Sequence, residues 1–216
     1  NAQLVLQEEL HSKFPDMNFD IKGGIFYPED SHVQPQEFMQ SLYTYLLSQG
    51  VEFEENCFIN SIDVSSNRVC RVSSNEKSFE VDELVLASGS WSSIIGEQLN
   101  LKIPVQPGKG YSVTVDKPWD VNTPFILSEA RVAITPFEKQ IRFGGTMELS
   151  GIDLSVNQRR IQGILKSVKK YITNFSPESV NTSEAWAGLR PCSPDGLPLV
   201  GRPKGYSNLV LATGHA

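Results

Sequence analysis

The chain has 216 residues, 39% hydrophobic and 20% charged, an ordinary balance for one large domain or two small ones with a proper core. Nineteen basic residues against twenty-five acidic ones give a net charge of −6, so a duplex-binding surface is a poor fit and nucleic acid is not an expected partner. No apolar run approaches the roughly 18 residues that span a bilayer, and the three cysteines (Cys57, Cys70, Cys192) form no C-x-x-C pair, which suits reduced thiols in a cytoplasmic protein better than a disulfide framework or a zinc site.

The first ten residues, Asn1 to Leu10, have neither a basic n-region nor an apolar core and do not read as a secretory signal. Pro35 opens a helical pattern in which Phe38, Met39, Leu42, Tyr45 and Leu46 fall on one face, and Gly50 closes it. Short strand-like runs follow at Val51–Phe53, Phe58–Val64, Arg68–Val72, Ser78–Val81 and Glu83–Ala87, with hairpin turns at Ser65-Ser-Asn-Arg and Ser73-Ser-Asn-Glu-Lys. The unbroken apolar run Leu84-Val-Leu-Ala87 suits a strand covered on both faces, as in a parallel sheet.

Beyond Pro104 the runs Tyr111–Val115, Arg131–Thr135 and Gln140–Phe143 alternate, as antiparallel strands with one wet face do. The strongest helical pattern covers Val156–Phe175, with Ile161, Ile164, Leu165, Val168, Ile172 and Phe175 spaced by three and four. Asn208–Thr213 is a second buried, parallel-type strand. Two such strands far apart, with an antiparallel sheet and a long helix between them, point to a mixed α/β chain: a nucleotide-binding sheet interrupted by a second domain. One contiguous α+β domain is the alternative.

Ser88-Gly89-Ser90-Trp91 follows the Leu84–Ala87 strand directly, and Gly214-His215 follows Leu209–Thr213. Small residues at such a junction let backbone approach a ligand, and in open α/β sheets ligands bind outside the carboxyl ends of the strands. A plain strand-to-helix turn and a structural histidine are the competing readings, and the residues alone leave both open. Arg190, between Gly188-Leu189 and Pro191, keeps its charge wherever it sits and must meet an anion if buried. Either a substrate carboxylate or an internal acid such as Asp195 would serve. Gln106-Pro-Gly-Lys-Gly110 lacks the Ser or Thr of a Walker loop, no G-x-G-x-x-G occurs, and no G-x-S-x-G supports hydrolase chemistry. His32, on a loop ahead of the first helix, reads as a capping or exposed residue.

In order, Gly23-Gly24…Asp30…Val33-x-Pro35, Leu84–Trp91, Pro104-Val-x-Pro107…Lys109-Gly110-Tyr111, Ala133-Ile-Thr135…Ile141-Arg142-x-Gly144-Gly145-x-Met147-Glu148, Trp186–Gly201 and Asn208–His215 resemble the D-amino-acid oxidase superfamily of FAD enzymes, glycine oxidase included. The Ala-Ile-Thr…Ile-Arg-x-Gly-Gly-x-Met-Glu stretch is most similar to the bacterial D-amino-acid dehydrogenase branch. The resemblance implies an FAD-binding Rossmann-like domain (31–103 and 191–216) interrupted by an antiparallel substrate domain (1–30 and 104–190). It implies that Arg190 binds the substrate carboxylate, that Ala87, Ser88, Gly89 and Trp91 lie along FAD, that Ile59 backbone lies near the adenine, and that Gly214 and His215 begin the loop around the flavin. It also implies a parent enzyme that passes hydride from the α-carbon of a D-amino acid to FAD, with a peripheral membrane or electron-acceptor contact at the inner face of the membrane. The first βα unit with the dinucleotide fingerprint is expected ahead of Asn1, and the flavin loop beyond His215, so the chain reads as a fragment that by itself holds little FAD. Ala133 stands where glycine oxidases carry a carboxylate-binding tyrosine. A relative without its cofactor, acting as a ligand- or partner-binding domain, is the alternative from another class, and a glycine- or sarcosine-type oxidase is the nearer one.

Overall fold

A computed structural model describes residues 1–215. In chain order it contains β1 (Gln3–Leu6), α1 (Gln7–Lys13), β2 (Gly23–Phe26), α2 (Pro35–Ser48), β3 (Ser61–Ser65), β4 (Arg68–Ser73), β5 (Ser78–Glu80), β6 (Leu84–Leu86) and α3 (Ser92–Gln98). Then come β7 (Gln106–Asp116), β8 (Phe125–Leu127), β9 (Val132–Pro136), β10 (Gln140–Glu148), α4 (Gln158–Tyr171), β11 (Trp186–Cys192), β12 (Leu199–Gly201) and β13 (Leu209–Thr213). A five-stranded sheet has the order β11-β7-β10-β9-β8. The chain divides into two compact units, one formed by 1–49, 110–147 and 155–187, the other by 50–109, 148–154 and 188–216.

The first unit is built around α4. Asn157 caps it, its side chain accepting from the Arg159 N–H at 3.0 Å, and Lys169 and Lys170 suit the negative end of the helix dipole. Ile161, Ile164, Leu165 and Val168 are buried along one stripe, each contributing about 1.5–3 kcal/mol by leaving water. They pack with Val113, Ile134, Ile141 and Phe143 of the sheet. The expected helix ran to Phe175, but it stops at Tyr171. Ile172 turns extended and bridges Phe19, and the Thr173 N–H donates to Asn18 O, so the outgoing chain swaps helical bonds for ladder bonds. Phe175 is still buried, against Trp119 and Phe143.

α2 begins at Pro35 as its sequence requires, and Gly50, at φ +82°, ends it. Its apolar stripe is present yet none of its residues is buried among the described residues. His32, just ahead of it, donates from Nε2 to Pro136 O at 3.0 Å, so it is held by a carbonyl rather than capping the helix.

In the second unit β3, β4 and β5 form an antiparallel meander, with Ser66 and Asn67 both at positive φ in the β3–β4 turn, as a two-residue hairpin demands. Two sequence expectations need correction here. Val51–Phe53 joins no sheet among the described residues, and Val51 and Phe53 are each more than a third exposed. β6 is not covered on both faces; it is the outer strand of the order β12-β13-β6, and Val85 is 55% exposed while Leu86 faces the core. The parallel pairing itself is as expected, with Leu209, Val210 and Leu211 opposite Leu84, Val85 and Leu86.

Candidate functional site

The parallel register of β6 and β13 sets the site, because it brings the residues after Leu86 beside Thr213 and Gly214. Four polar contacts hold the turn after β6, two of them to Thr213 at the end of β13. Ser88 Oγ lies 3.1 Å from Ser92 Oγ, Ser92 Oγ lies 2.7 Å from Thr213 Oγ1, and Thr213 Oγ1 donates to Gly89 O at 3.2 Å. Thr213 has one hydroxyl proton and spends it on a carbonyl, so the direction is fixed: Ser88 donates to Ser92, and Ser92 to Thr213. Ser92 and Thr213 are buried, where unpaired hydroxyls would be costly. Buried Ser90 adds the fourth contact, donating to Leu189 O at 3.3 Å.

That last bond joins the Ser88–Trp91 turn to the residue next to Arg190. Arg190 is exposed on β11 and makes no ion pair or hydrogen bond among the described residues. The internal alternative fails here, since Asp195 turns its Oδ1 to the Leu197 N–H at 3.1 Å. Gly89 sits at φ +54°, and a Cβ there would meet nothing within 4 Å, so the turn presents bare backbone to open space. Trp91 beside it is 41% exposed. Gly214 is buried and His215 is exposed directly after it.

Ile59 lies in the extended segment before β3, where the neighbouring Asn60 N–H donates to Ser73 O. No polar contact among the described residues draws it to the strand ends. The supporting hydroxyls of Ser90, Ser92 and Thr213 escaped the sequence reading; the serine-rich run after a buried strand was the available signal. Asn208 escaped it too. It is buried, its Oδ1 accepts from the Val69 N–H at 2.8 Å, and its Nδ2 donates to Val69 O at 2.8 Å and Asp82 O at 3.0 Å, which clamps the start of β13 to β4.

Residues 1–216 match the family described as FAD dependent oxidoreductase (DAO). The chain belongs to the DAO family of FAD-dependent oxidoreductases. Similar DAO-family sequences include a D-amino acid dehydrogenase of Neisseria meningitidis, 36% identical over 90% of this chain and 47% of that protein. Another, from Vibrio vulnificus, is 33% identical over the same shares. The chain thus spans about half the length of the curated relatives it matches. Among solved structures, glycine oxidase from Geobacillus kaustophilus superposes with a TM-score of 0.87 at 24% identity, covering 100% of this chain and 58% of that one. L-Proline dehydrogenase from P. horikoshii gives 0.86 at 20% identity, covering 99% and 59%. These two establish the DAO fold, mixed α/β with a parallel pair of strands separated in sequence by antiparallel ones.

The DAO family depends on FAD; at the strand ends of this chain the backbone is open at Gly89, the hydroxyl of Thr213 turns inward to hold the turn, and Trp91 is partly exposed. The phosphate-binding fingerprint G-x-G-x-x-G does not occur within the 216 residues.

Proposed function

We propose that the full-length protein oxidatively deaminates small D-amino acids with FAD, and that Arg190 grips the substrate carboxylate. The observation that carries this reading is an arginine without an acidic partner, one residue from a carbonyl that is bonded to the cofactor-facing turn. A guanidinium fork takes both oxygens of a carboxylate at once, and so fixes the α-carbon in orientation as well as in place. FAD when bound supplies the two-electron acceptor that receives hydride from that carbon. The amino group loses a proton, the resulting imine takes up water, and a 2-oxo acid and ammonium leave. Ala87, Ser88, Gly89 and Trp91 would lie along the cofactor, Ile59 near its adenine, and Gly214 and His215 at the start of the flavin loop. The first unit, with its antiparallel strands and α4, would serve as the substrate domain.

The sequence likeness to D-amino acid dehydrogenases supports a peripheral contact with a membrane-borne acceptor at the inner face of the membrane. No helix among the described residues is long and apolar enough to cross a membrane. Steady-state assays of the full-length protein with D-alanine, glycine, sarcosine and L-alanine, using a quinone analogue and then oxygen as acceptor, test the reading. D-alanine with the quinone should give the highest kcat/KM. Arg190→Ala should raise KM for D-alanine about ten- to a hundredfold, the scale of a lost charge-assisted pair. Arg190→Lys should recover part of it, because a point charge replaces the fork. An unchanged KM in Arg190→Ala would remove the carboxylate role.

A further inference from the structure

The first unit holds a second cation that the reading above does not use. Arg142, on β10, donates from Nε to Thr114 Oγ1 at 3.0 Å, which fixes the plane of the guanidinium and leaves its Nη1–Nη2 end uncommitted among the described residues. Phe137 lies against it with its ring centroid 4.9 Å from Cζ, and Trp186 flanks it at 5.5 Å. Both contacts suit a cation on an aromatic face, and neither supplies negative charge. Burial pushes the Arg142 pKa below its ordinary value, with no acidic neighbour to raise it again.

Arg142 opens into a cavity of about 60 Å³ whose other walls are Gln34, Pro35, Gln36, Phe137 and Gln140. That volume holds about two waters, or one carboxylate with a short tail. None of the three glutamine side chains makes a hydrogen bond among the described residues, so the cavity offers uncommitted amide donors beside the fork. Equally telling, no carboxylate lines it. An ammonium group entering with a carboxylate would find no counter-charge, whereas a carboxylate attached to a neutral group would find the fork, amide donors and a ring edge.

We propose that the Arg142 cavity binds a small carboxylate lacking an ammonium group, the chemistry of a 2-oxo acid. The cavity stands on its own geometry; it depends on the proposed function only in that a 2-oxo acid would then be the enzyme's own product.

Calorimetric titration of the full-length protein in the Arg190→Gln background tests this, because the substitution disables the other carboxylate site. Pyruvate should bind saturably, and D-alanine roughly tenfold or more weakly, since one extra unpaired charge is at stake. Adding Arg142→Gln should abolish pyruvate binding, and adding Thr114→Val should weaken it by a smaller factor through loss of the bond that orients the fork. Should the Arg142→Gln protein fail to fold, Thr114→Val and Gln140→Leu carry the same comparison. Binding that is indifferent to all three substitutions overturns the proposal, and so does D-alanine binding as tightly as pyruvate. The two readings fail separately: pyruvate binding without D-amino acid oxidation overturns only the proposed function, and D-alanine oxidation without pyruvate binding overturns only the cavity.

Discussion

Single side chains divide here into those that announce themselves in sequence and those that do not. Arg190 is of the first kind in that an arginine amid glycine, leucine and proline stands out, although the residues alone suit an internal acid as well as a substrate carboxylate. Its internal partner was the wrong half of that reading: Asp195 is occupied by its own turn. Asn208 is of the second kind, since a polar residue ahead of a strand looks like a boundary, and its three bonds reach partners 139 and 126 positions away. Replacing Asn208 with alanine would strand the buried N–H and C=O of Val69, at a cost of about 2–3 kcal/mol. Hydrogen exchange reads this directly, as the Val69 amide should lose protection; an exchange rate equal to the wild type would contradict the clamp.

At the scale of elements, periodicity served well where one face met a core within the chain, as in α4, and less well at its end, where pairing with residues 18–20 outbid helix formation. Leu165→Ala should destabilise the first unit by about 2–5 kcal/mol through a cavity in that core, seen as a lower thermal midpoint. α2 shows the limit of the method, for its stripe was readable but its exposure was not. The Gly23-Gly24 pair gains a physical cause: a Cβ on Gly23 would sit 2.6 Å from Val5 O, inside the β1–β2 ladder. Gly23→Ala should therefore shift that strand pair, with chemical-shift changes confined to residues of β1 and β2, whereas Gly24→Ala, with nothing within 4 Å, should not.

For the molecule as a whole, two separated apolar strands with alternating strands and a helix between them point to the mixed α/β class, the family resemblance agrees, and composition alone would not reach it. Local patterns found many of the strands, missed β1, β2 and β8, and could not say that β6 and β13 are neighbours, because pairing depends on the intervening chain returning. The missing phosphate fingerprint has a measurable consequence: the purified 216-residue chain mixed with FAD should emerge colourless from desalting, and a bright yellow, stoichiometric complex would refute that. The parallel pair carries a further consequence, for synthesis. Ser92 and Thr213, bonded in the finished site, are 121 residues apart in sequence, so a ribosome delivers β6 long before its partner. At the usual pace of translation, roughly 5–20 residues per second, the Ser88–Trp91 turn waits many seconds half-made. During that interval β6 lacks its parallel partner.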